Sequence, residues 1–335
     1  MHMLADPSHA TDLSARQIVI SRTVAAPAPL VFRAFVEPEH VIHWWGPFGF
    51  RNTSHAMDVR PGGLWRLTMH GPDGTDYPNL SRFVAVVPGQ RLAFSHGSGR
   101  AGEPEFDMEI TFSEANRRTR VTLCQTHPTA AQAEEIGTYA IAGGNQTLTR
   151  LAGYLAAMRE SAPAEVLEGA TADTQADFVL TREFAAPRTL LFRAMTEPEH
   201  LAKWFGPPGV RNRVVSSDLR PGGQLRYAIR SPAGEAFGRA VYREIAAPAR
   251  FAHVVSFTDK KFAPVRHPGN DTWPLEVLGI ATLTEHAGKT VLFSRSLPIN
   301  ATDTDVATFR AGHASMVQGW QGTYDQLDQY LKTMS

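Results

Sequence analysis

The apolar and polar positions at the start of the chain predict one strand followed by two short helices. Residues 17–24 are rich in β-branched side chains and end at an Ala-Ala-Pro turn, which is typical of a strand. In 30–35, Leu30 and Ala34 as well as Val31 and Phe35 are four residues apart, which indicates an amphipathic helix. Pro38 suits the first position of a second short helix.

The next segments have the pattern of an antiparallel sheet. Pro61-Gly62 is a good central pair for a type II turn, and Trp65, Leu67 and Met69 then alternate with polar residues. Further strands are predicted at 81–87, 91–96, 106–112 and 119–126. Because short turns join adjacent strands, we expect a meander.

A long helix closes this unit. An apolar stripe at helical spacing runs through 129–158 and contains Ile136, Ala140, Gly143 or Gly144, Leu148, Leu151 and Leu155. Near the end of the chain a similar stripe contains Phe309, Val317, Trp320, Tyr324, Leu327 and Leu331.

The chain contains the same unit twice. Residues 22–63 return at 182–223 with a constant offset of 160 (187 − 27 and 223 − 63), and 23 of the 42 positions are identical. A unit of about 160 residues is the size of an independent domain and far longer than a solenoid repeat. We therefore predict two tandem domains of the α+β class. Each has two short helices after its first strand and a curved antiparallel sheet wrapped on the long C-terminal helix.

The predicted boundaries follow from composition. Residues 1–15 are polar and are expected to be a disordered tail, 16–159 form the first domain, and 177–335 form the second. Residues 160–176 are rich in Ala, Glu and Thr, have no aromatic residue, and are expected to be a linker.

Charge and composition exclude several function classes. Lys+Arg and Asp+Glu are equal at 33 each, so no net field attracts nucleic acid or an anionic membrane. The single cysteine, Cys124, suits a reducing compartment. The first residues lack the apolar core of a signal peptide, and no apolar run is long enough for a membrane span. We expect a cytoplasmic protein.

The repeated motifs resemble a known family. They are Pro27, Glu37-Pro-Glu-His40, Trp44-Trp-Gly-Pro47 and Asp58-x-Arg60-Pro-Gly-Gly63, with their counterparts in the second copy. They look like the bacterial proteins grouped with the C-terminal domain of the Hsp90 ATPase activator, in the START/Bet v 1-like (SRPBCC) superfamily. The resemblance implies a helix-grip fold, and it covers most of both copies.

The family resemblance implies three kinds of function. Members bind apolar ligands, some superfamily relatives are cyclases or hydrolases, and the activator itself stimulates a chaperone. The leading hypothesis is a cytosolic protein that binds small apolar or amphipathic molecules in a chamber between sheet and C-terminal helix. An enzyme of the cyclase or hydrolase kind is the alternative, and a chaperone-interaction module is the third. Copy one departs from the family pattern at Gly143-Gly144, where copy two has Gly319-Trp320.

No catalytic, metal or cofactor motif stands out in the sequence. The thirteen histidines are scattered and none has zinc-site spacing, so we expect no metal. The Gly97-x-Gly-x-x-Gly102 match is not followed by a helix, so we interpret it as a hairpin loop and expect no nucleotide cofactor. An enzyme would have to use a chamber histidine, and the candidates are His43, His70, His96, His253 and His313.

Two repeated polar groups have structural interpretations. His40 and His200 are expected to bond to their short helices, and Asp58–Arg60 with Asp218–Arg220 are expected to be surface pairs.

The predicted chamber walls come from both copies. In copy one they are Phe35, Trp44, Trp45, Trp65, Leu67, Met69, Gly144 and Leu148. In copy two they are Trp204, Phe205, Leu225, Tyr227, His313, Val317, Trp320 and Tyr324. An indole N–H in such a wall would give a ligand one polar contact.

One exchange between the copies leads to a packing hypothesis. Trp320 aligns with Gly144, and Trp65 aligns with Leu225, so the large residue has moved from helix to sheet. Cores tolerate exchanges that conserve volume better than net loss. We therefore expect the Trp65 ring to pack against Gly143 and Gly144. The competing hypothesis leaves that gap open and gives copy one the larger pocket.

Overall fold

The chain folds into two compact units. The computed structural model describes residues 13–100, 102–159, 164–171, 173, 176–206, 209–231 and 234–334. The first unit contains the described residues of Met1–Pro47, Asn52–His70 and Asp76–Thr149, and the second those of Phe48–Arg51, Gly71–Thr75 and Arg150–Ser335.

The first copy has the predicted order of elements. These are β1 (Gln17–Val24), α1 (Ala28–Val36), α2 (Pro38–Val41), β2 (Arg51–Met57), β3 (Leu64–His70), β4 (Asp76–Val87), β5 (Arg91–Gly97), β6 (Phe106–Ala115), β7 (Arg118–Thr126) and α3 (Ala130–Arg159).

The second copy repeats this order with one change at its end. Its elements are β8 (Phe178–Phe184), α4 (Arg188–Thr196), α5 (Pro198–Trp204), β9 (Arg211–Ser217), β10 (Gln224–Ser231), β11 (Gly234–Ala246), β12 (Arg250–Thr258), β13 (Val277–His286), β14 (Lys289–Pro298), α6 (Asp303–Ala311) and α7 (His313–Leu331). The single closing helix expected here is two helices that meet at Gly312, and a capping box of Thr302 and Asp305 starts the first of them.

Each copy forms one seven-stranded antiparallel sheet. The strand order is β1-β7-β6-β5-β4-β3-β2 in the first sheet and β8-β14-β13-β12-β11-β10-β9 in the second. Consecutive strands are neighbours from β2 to β7, so the predicted meander is confirmed. The first strand of each copy lies beside the last one, with Gln17 opposite Thr126 in one sheet and Phe178 opposite Ser296 in the other.

The repeated Pro-Gly-Gly turns connect the first two meander strands. Gly62 and Gly222 have φ angles of 82° and 79°, which a glycine adopts without a steric penalty and which a type II turn requires. Asp58 and Arg60 form the expected exposed pair beside this turn, with 3.0 Å between Nε and Oδ2.

In each copy a tryptophan, Trp44 or Trp204, connects the segment of the second short helix to the first short helix. Both indoles are buried, and their N–H groups donate to the carbonyl oxygens of Ala34 and Ala194 at 3.0 and 2.8 Å. These two indole N–H groups are therefore satisfied by the protein. They do not provide the polar contact for a ligand that the sequence suggested.

The outer face of the second sheet is covered by chain that precedes the sheet. Residues 164–170 lie over a cluster on this face, with Val166 buried and Arg243 donating to the carbonyl oxygens of Val166 and Glu168, both at 2.8 Å. The cluster consists of Val166, Ala252, Val254, Leu278, Ile280, Leu297 and Ile299. The end of α3 contributes Tyr154, whose ring lies 5.7 Å from that of Phe293.

Parts of two predicted segments lie outside the described residues. Of the expected tail 1–15, residues 1–12 lie outside, and Leu13–Arg16 form a short 3-10 turn. Of the expected linker 160–176, residues 160–163, 172, 174 and 175 lie outside. Among the described helices, none is long and apolar enough to cross a membrane.

Candidate functional site

The second unit contains a cavity of about 320 Å³ between the inner face of its sheet and α7. Six of the residues expected in this chamber line it, namely Trp204, Phe205, Leu225, Tyr227, Trp320 and Tyr324. His313 and Val317 are buried in the adjoining core and are not part of the lining. The volume lies at the lower end of the range of about 300–1,000 Å³ that is usual for small-molecule sites.

A long loop contributes to the cavity wall. Residues 259–276 connect β12 to β13, and Trp273, Pro274 and Leu275 of this loop line the cavity. Arg266 fixes the loop to α6, because its Nη1 lies 2.6 Å from Asp305 and 2.8 Å from the carbonyl oxygen of Trp273. The sequence does not reveal this wall. Its only signal there was the change in offset between the copies, from 160 at the Pro-Gly-Gly turns to 176 at the closing helices.

The cavity depends on a row of residues that crosses the second sheet. Tyr242 pairs with His253, His253 with Gly279, and Gly279 with Ser296, and we call these four residues the cross-sheet row. All of them line the cavity.

The first sheet has an equivalent row of different composition. Gly62 donates to the carbonyl oxygen of Phe83, as Gly222 does to that of Tyr242, so these two residues occupy the same position. From Phe83 the register continues through Phe94 and Met108 to Gln125. Phe83, Phe94 and Met108 are buried, so the first sheet has large apolar side chains where the second has the polar or small cross-sheet row.

A parallel row shows the same trend. In the first sheet Leu92, Ile110 and Leu123 lie side by side and are buried. The equivalent residues of the second sheet are Phe251, Ala281 and Ser294, which all line the cavity. The exchanges from Met108 to Gly279, from Ile110 to Ala281 and from Leu123 to Ser294 each remove side-chain volume from the wall of the second chamber, whereas the exchange from Leu92 to Phe251 adds volume.

Two glycines allow aromatic rings to lie across the second sheet. A Cβ atom at Gly279 would lie 3.1 Å from Nε2 of His253, and one at Gly238 would lie 2.5 Å from the hydroxyl of Tyr227. Each pair is directly opposite in the sheet, His253 with Gly279 and Tyr227 with Gly238. A side chain at either glycine would displace a ring that now forms the cavity wall.

The polar groups of the cavity are uncharged at neutral pH. Burial lowers the pKa of His253 to about 4, and its Nδ1 is buried without a hydrogen-bond partner among the described residues. Burial raises the pKa of Tyr227, Tyr242 and Tyr324 to about 12, and in Tyr324 a hydrogen bond with Ser294 acts in the opposite direction. The cavity thus offers neutral hydroxyl and imidazole groups within an apolar wall.

The predicted chamber residues of the first unit form packed aromatic contacts. The rings of Phe35 and Trp44 are 4.6 Å apart, and those of Trp45 and Trp65 are 5.4 Å apart, both edge to face. Leu67 and Leu148 are buried with these rings, while Met69 is partly exposed.

The hypothesis about Trp65 and the glycine pair needs a correction. The three side-chain atoms nearest to a Cβ at Gly144 all belong to Ile20, with Pro47 nearest at Gly143. The expected close approach to the helix therefore exists, but Ile20 makes it from β1, and Trp65 packs on Trp45 instead.

The five candidate histidines lie in different environments. Only His253 lines the described cavity. His43 is buried, His70 contacts Thr53 and Asp76 at 2.9 and 2.6 Å, and His96 contacts Ser81 at 2.8 Å. His313 packs between the rings of Phe178 and Phe309.

One group of possible metal ligands occurs outside the cavity. Ligand atoms of Glu197, Glu199 and His200 lie within 4.8 Å of one another at the start of α5. Arg193 binds Glu197 at 3.0 Å, while His200 lies 3.1 Å from Glu197 and 2.9 Å from the Tyr330 hydroxyl. His40 makes the same contact with Glu37 at 2.9 Å, so both histidines lie beside the glutamate at the start of their short helix, although Nε2 of His200 has no hydrogen-bond partner among the described residues.

Comparisons with known proteins agree with this fold. The family described as Activator of Hsp90 ATPase homolog 1-like protein matches residues 25–156 and 185–332. No curated protein matches the chain.

Several solved structures of bacterial proteins are each similar to less than half of this chain. One from Nitrosomonas europaea is 28% identical with a TM-score of 0.40, and covers 44% of this chain and 97% of its own. One from Mycobacterium smegmatis is also 28% identical with a TM-score of 0.39, and covers 46% and 90%. The AHSA1 protein of Silicibacter pomeroyi is 17% identical with a TM-score of 0.36, and covers 48% of this chain and 99% of its own.

Because the family match accounts for most of both repeats, this chain belongs to the Activator of Hsp90 ATPase homolog 1-like family, with two tandem domains of the START-like α+β fold.

Proposed function

We propose that the protein binds a small, mainly apolar molecule in the cavity of its second domain. The observation that carries this proposal is the exchange of Phe94, Met108 and Leu123 in the first sheet for His253, Gly279 and Ser294 in the second. Truncating a buried side chain without refilling the space costs about 2–5 kcal/mol. A bound molecule would return much of that free energy to the folded state.

The lining supports binding more than it supports acid–base catalysis. Among the described residues that line the cavity, none is Asp, Glu, Lys or Arg. His253 has a pKa of about 4, so its imidazole would be a weak base at neutral pH. Acid–base catalysis would need a stronger acid or base than the described residues of this wall offer.

A cavity-filling variant of the whole protein tests the proposal. The variant H253F/G279M/S294L gives the second sheet the three residues of the first. We expect it to weaken binding of the neutral fluorescent probe N-phenyl-1-naphthylamine at least about tenfold, which corresponds to 1.4 kcal/mol. Fluorescence titration measures the affinity, and a melting curve verifies that the variant is folded.

Gly319→Met is the matched control. Gly319 is exposed on α7, and a Cβ there would contact nothing within 4 Å. This variant makes the same glycine-to-methionine change outside the cavity and should leave probe affinity unchanged. Equal probe affinity of the wild type and the folded cavity-filled variant would show that the cavity is not the binding site.

A further inference from the structure

We propose that the ligand of the second domain is an uncharged aromatic molecule with at least one hydroxyl or carbonyl oxygen. This inference rests on the proposed function, and it specifies the chemistry of the same cavity.

The wall excludes ligands with a net charge. Its described residues include no Asp, Glu, Lys or Arg, and His253 is neutral at physiological pH. A carboxylate or ammonium group placed in this cavity would lose its hydration without gaining a partner of opposite charge. The cost of burying an unpaired charge is large compared with the free energy of a typical hydrogen bond.

The hydroxyl groups in the wall favour a ligand that accepts hydrogen bonds. Tyr227 and Tyr242 keep their phenol protons throughout the neutral range, since burial raises the pKa of both to about 12. Ser296 adds an aliphatic hydroxyl at the end of the cross-sheet row. Each of these hydroxyls is a neutral donor that a ligand oxygen could use in this cavity.

His253 gives the cavity a group that accepts or donates according to its tautomer. Its ring is stacked on Phe251 with 5.6 Å between centroids and lies across Gly279, so its plane is fixed. In the neutral ring one nitrogen carries the proton and the other accepts. A ligand hydroxyl pairs with either tautomer, and a ligand carbonyl with the tautomer that donates.

The remaining wall suits a flat ring. Trp320 lies against Phe205 and Tyr324 with centroid distances of 6.4 and 5.3 Å, and Trp273 lies 5.3 Å from Phe309 on another side. Aromatic rings pack favourably edge to face or offset against such surfaces. The same faces would attract a quaternary ammonium ion by cation–π contact, which makes a cationic probe a necessary part of the test.

A set of probes with one ring system and different charges tests the inference on the full chain. The probes are naphthalene, 2-naphthol, 2-naphthoate and 2-naphthyl-trimethylammonium, each used to displace N-phenyl-1-naphthylamine at pH 7.5. We expect 2-naphthol to bind at least about tenfold more tightly than naphthalene, and 2-naphthoate and the ammonium probe at least about thirtyfold more weakly than 2-naphthol. Tyr242→Phe and His253→Phe should each reduce the affinity for 2-naphthol more than the affinity for naphthalene, and so reduce the advantage of 2-naphthol.

The outcomes separate this inference from the proposed function. If 2-naphthoate or the ammonium probe binds as tightly as 2-naphthol, and the cavity-filled variant abolishes that binding, the inference is wrong and the site stands. If the cavity-filled variant leaves the binding of every probe unchanged, the site itself is wrong, and the inference fails with it. An equal affinity for naphthalene and 2-naphthol would contradict the role assigned to the hydroxyl and imidazole groups.

Discussion

His253 shows how one residue changes the character of a sheet position that both copies share. Its counterpart in the first sheet is Phe94, which is buried in an apolar core beside Phe83. In the second sheet the imidazole has a similar shape but leaves Nδ1 buried without a partner among the described residues. An unsatisfied buried polar atom costs about 1–3 kcal/mol, so the exchange reduces the stability of the second domain.

His253 should make the stability of the protein depend on pH in the acid range. Its folded pKa of about 4 lies below its ordinary value near 6.5, so the unfolded chain binds more protons between these two pH values. Stability should therefore fall as the pH decreases from about 6.5 to 4, by up to about 1.4 kcal/mol per pH unit for this group. His96 and His313, whose pKa burial also lowers to about 4, add to the same trend.

Denaturant unfolding at several pH values measures the contribution of His253. His253→Phe should show a shallower loss of unfolding free energy between pH 6.5 and 4 than the wild type. Tyr242→Phe is the control, because it removes a polar group from the same cavity but none that titrates in this range. Parallel pH curves for His253→Phe and the wild type would contradict the buried, neutral state of this ring.

At the scale of secondary structure, the sequence predicted the elements well because their signals are local. Alternation in 65–69 and the four-residue spacing in 30–35 each depend on a few neighbours, and both became the expected elements. The break between α6 and α7 was missed, since the apolar stripe continues across Gly312. Of the chamber residues predicted on β10 and α7, Leu225, Tyr227, Trp320 and Tyr324 line the cavity, whereas His313 and Val317 do not.

The opposite half of the site could not be predicted in the same way. His253 and Gly279 come from the two strands that flank the long loop 259–276, and Ser294 comes from the next strand, β14. The offset between the two copies changes across this loop. Their significance appears only through the register of neighbouring strands, which is a non-local property. The partner of Gly144 was also predicted incorrectly, because the sequence shows which residue is large but not which one reaches the helix.

The ion pair between Arg266 and Asp305 anchors the loop 259–276 to α6. Asp305 caps α6 through Thr302 and also binds Arg266 at 2.6 Å, and its side chain is 6% exposed. Burial tends to raise the pKa of this carboxyl, but the hydrogen bonds from Arg266 and Thr302 outweigh it and lower the pKa.

Asp305→Ala removes the cap and the anchor together and should destabilise the protein by about 2 kcal/mol or more. Arg266→Ala leaves the cap but frees the loop.

Limited proteolysis distinguishes the loop from the rest of the fold. Both variants should accelerate trypsin cleavage after Lys260 and Lys261, which lie at the beginning of the loop. Asp303→Ala is the matched control, because Asp303 is an exposed acid in the first turn of the same helix. Unchanged cleavage in both Asp305→Ala and Arg266→Ala would mean that this ion pair does not hold the loop.

At the scale of the whole molecule, the two copies share one fold and differ in how they fill it. The repeated motifs that form turns and helix starts are the same in both, and Gly62 and Gly222 make the same bond to the next strand. On the inner face of the sheet, Met108 and Leu123 of the first copy correspond to Gly279 and Ser294 of the second. The two copies thus share the positions that form the turns and differ at positions that line the chamber.

The extent of the second folding unit gives a prediction about fragments. Residues 164–170 and the end of α3 cover the outer face of the second sheet, where Val166, Val254 and Leu278 are buried together. A fragment 175–335 would expose this face to water, while a fragment 150–335 would keep it covered. Exposed apolar area costs about 25 cal/mol per Å², so we expect the longer fragment to melt cooperatively at a clearly higher temperature.

A point substitution in the full chain tests the same contact without truncation. Val166→Asp places a charge at a position that is 4% exposed, whereas Val265→Asp makes the same change where the side chain is 37% exposed. Burying an unpaired carboxylate is costly, so the first variant should lower the melting temperature markedly and the second should change it little. Equal melting of the two fragments, together with equal effects of the two substitutions, would show that 164–170 behaves as a linker and contributes nothing to the core of the second domain.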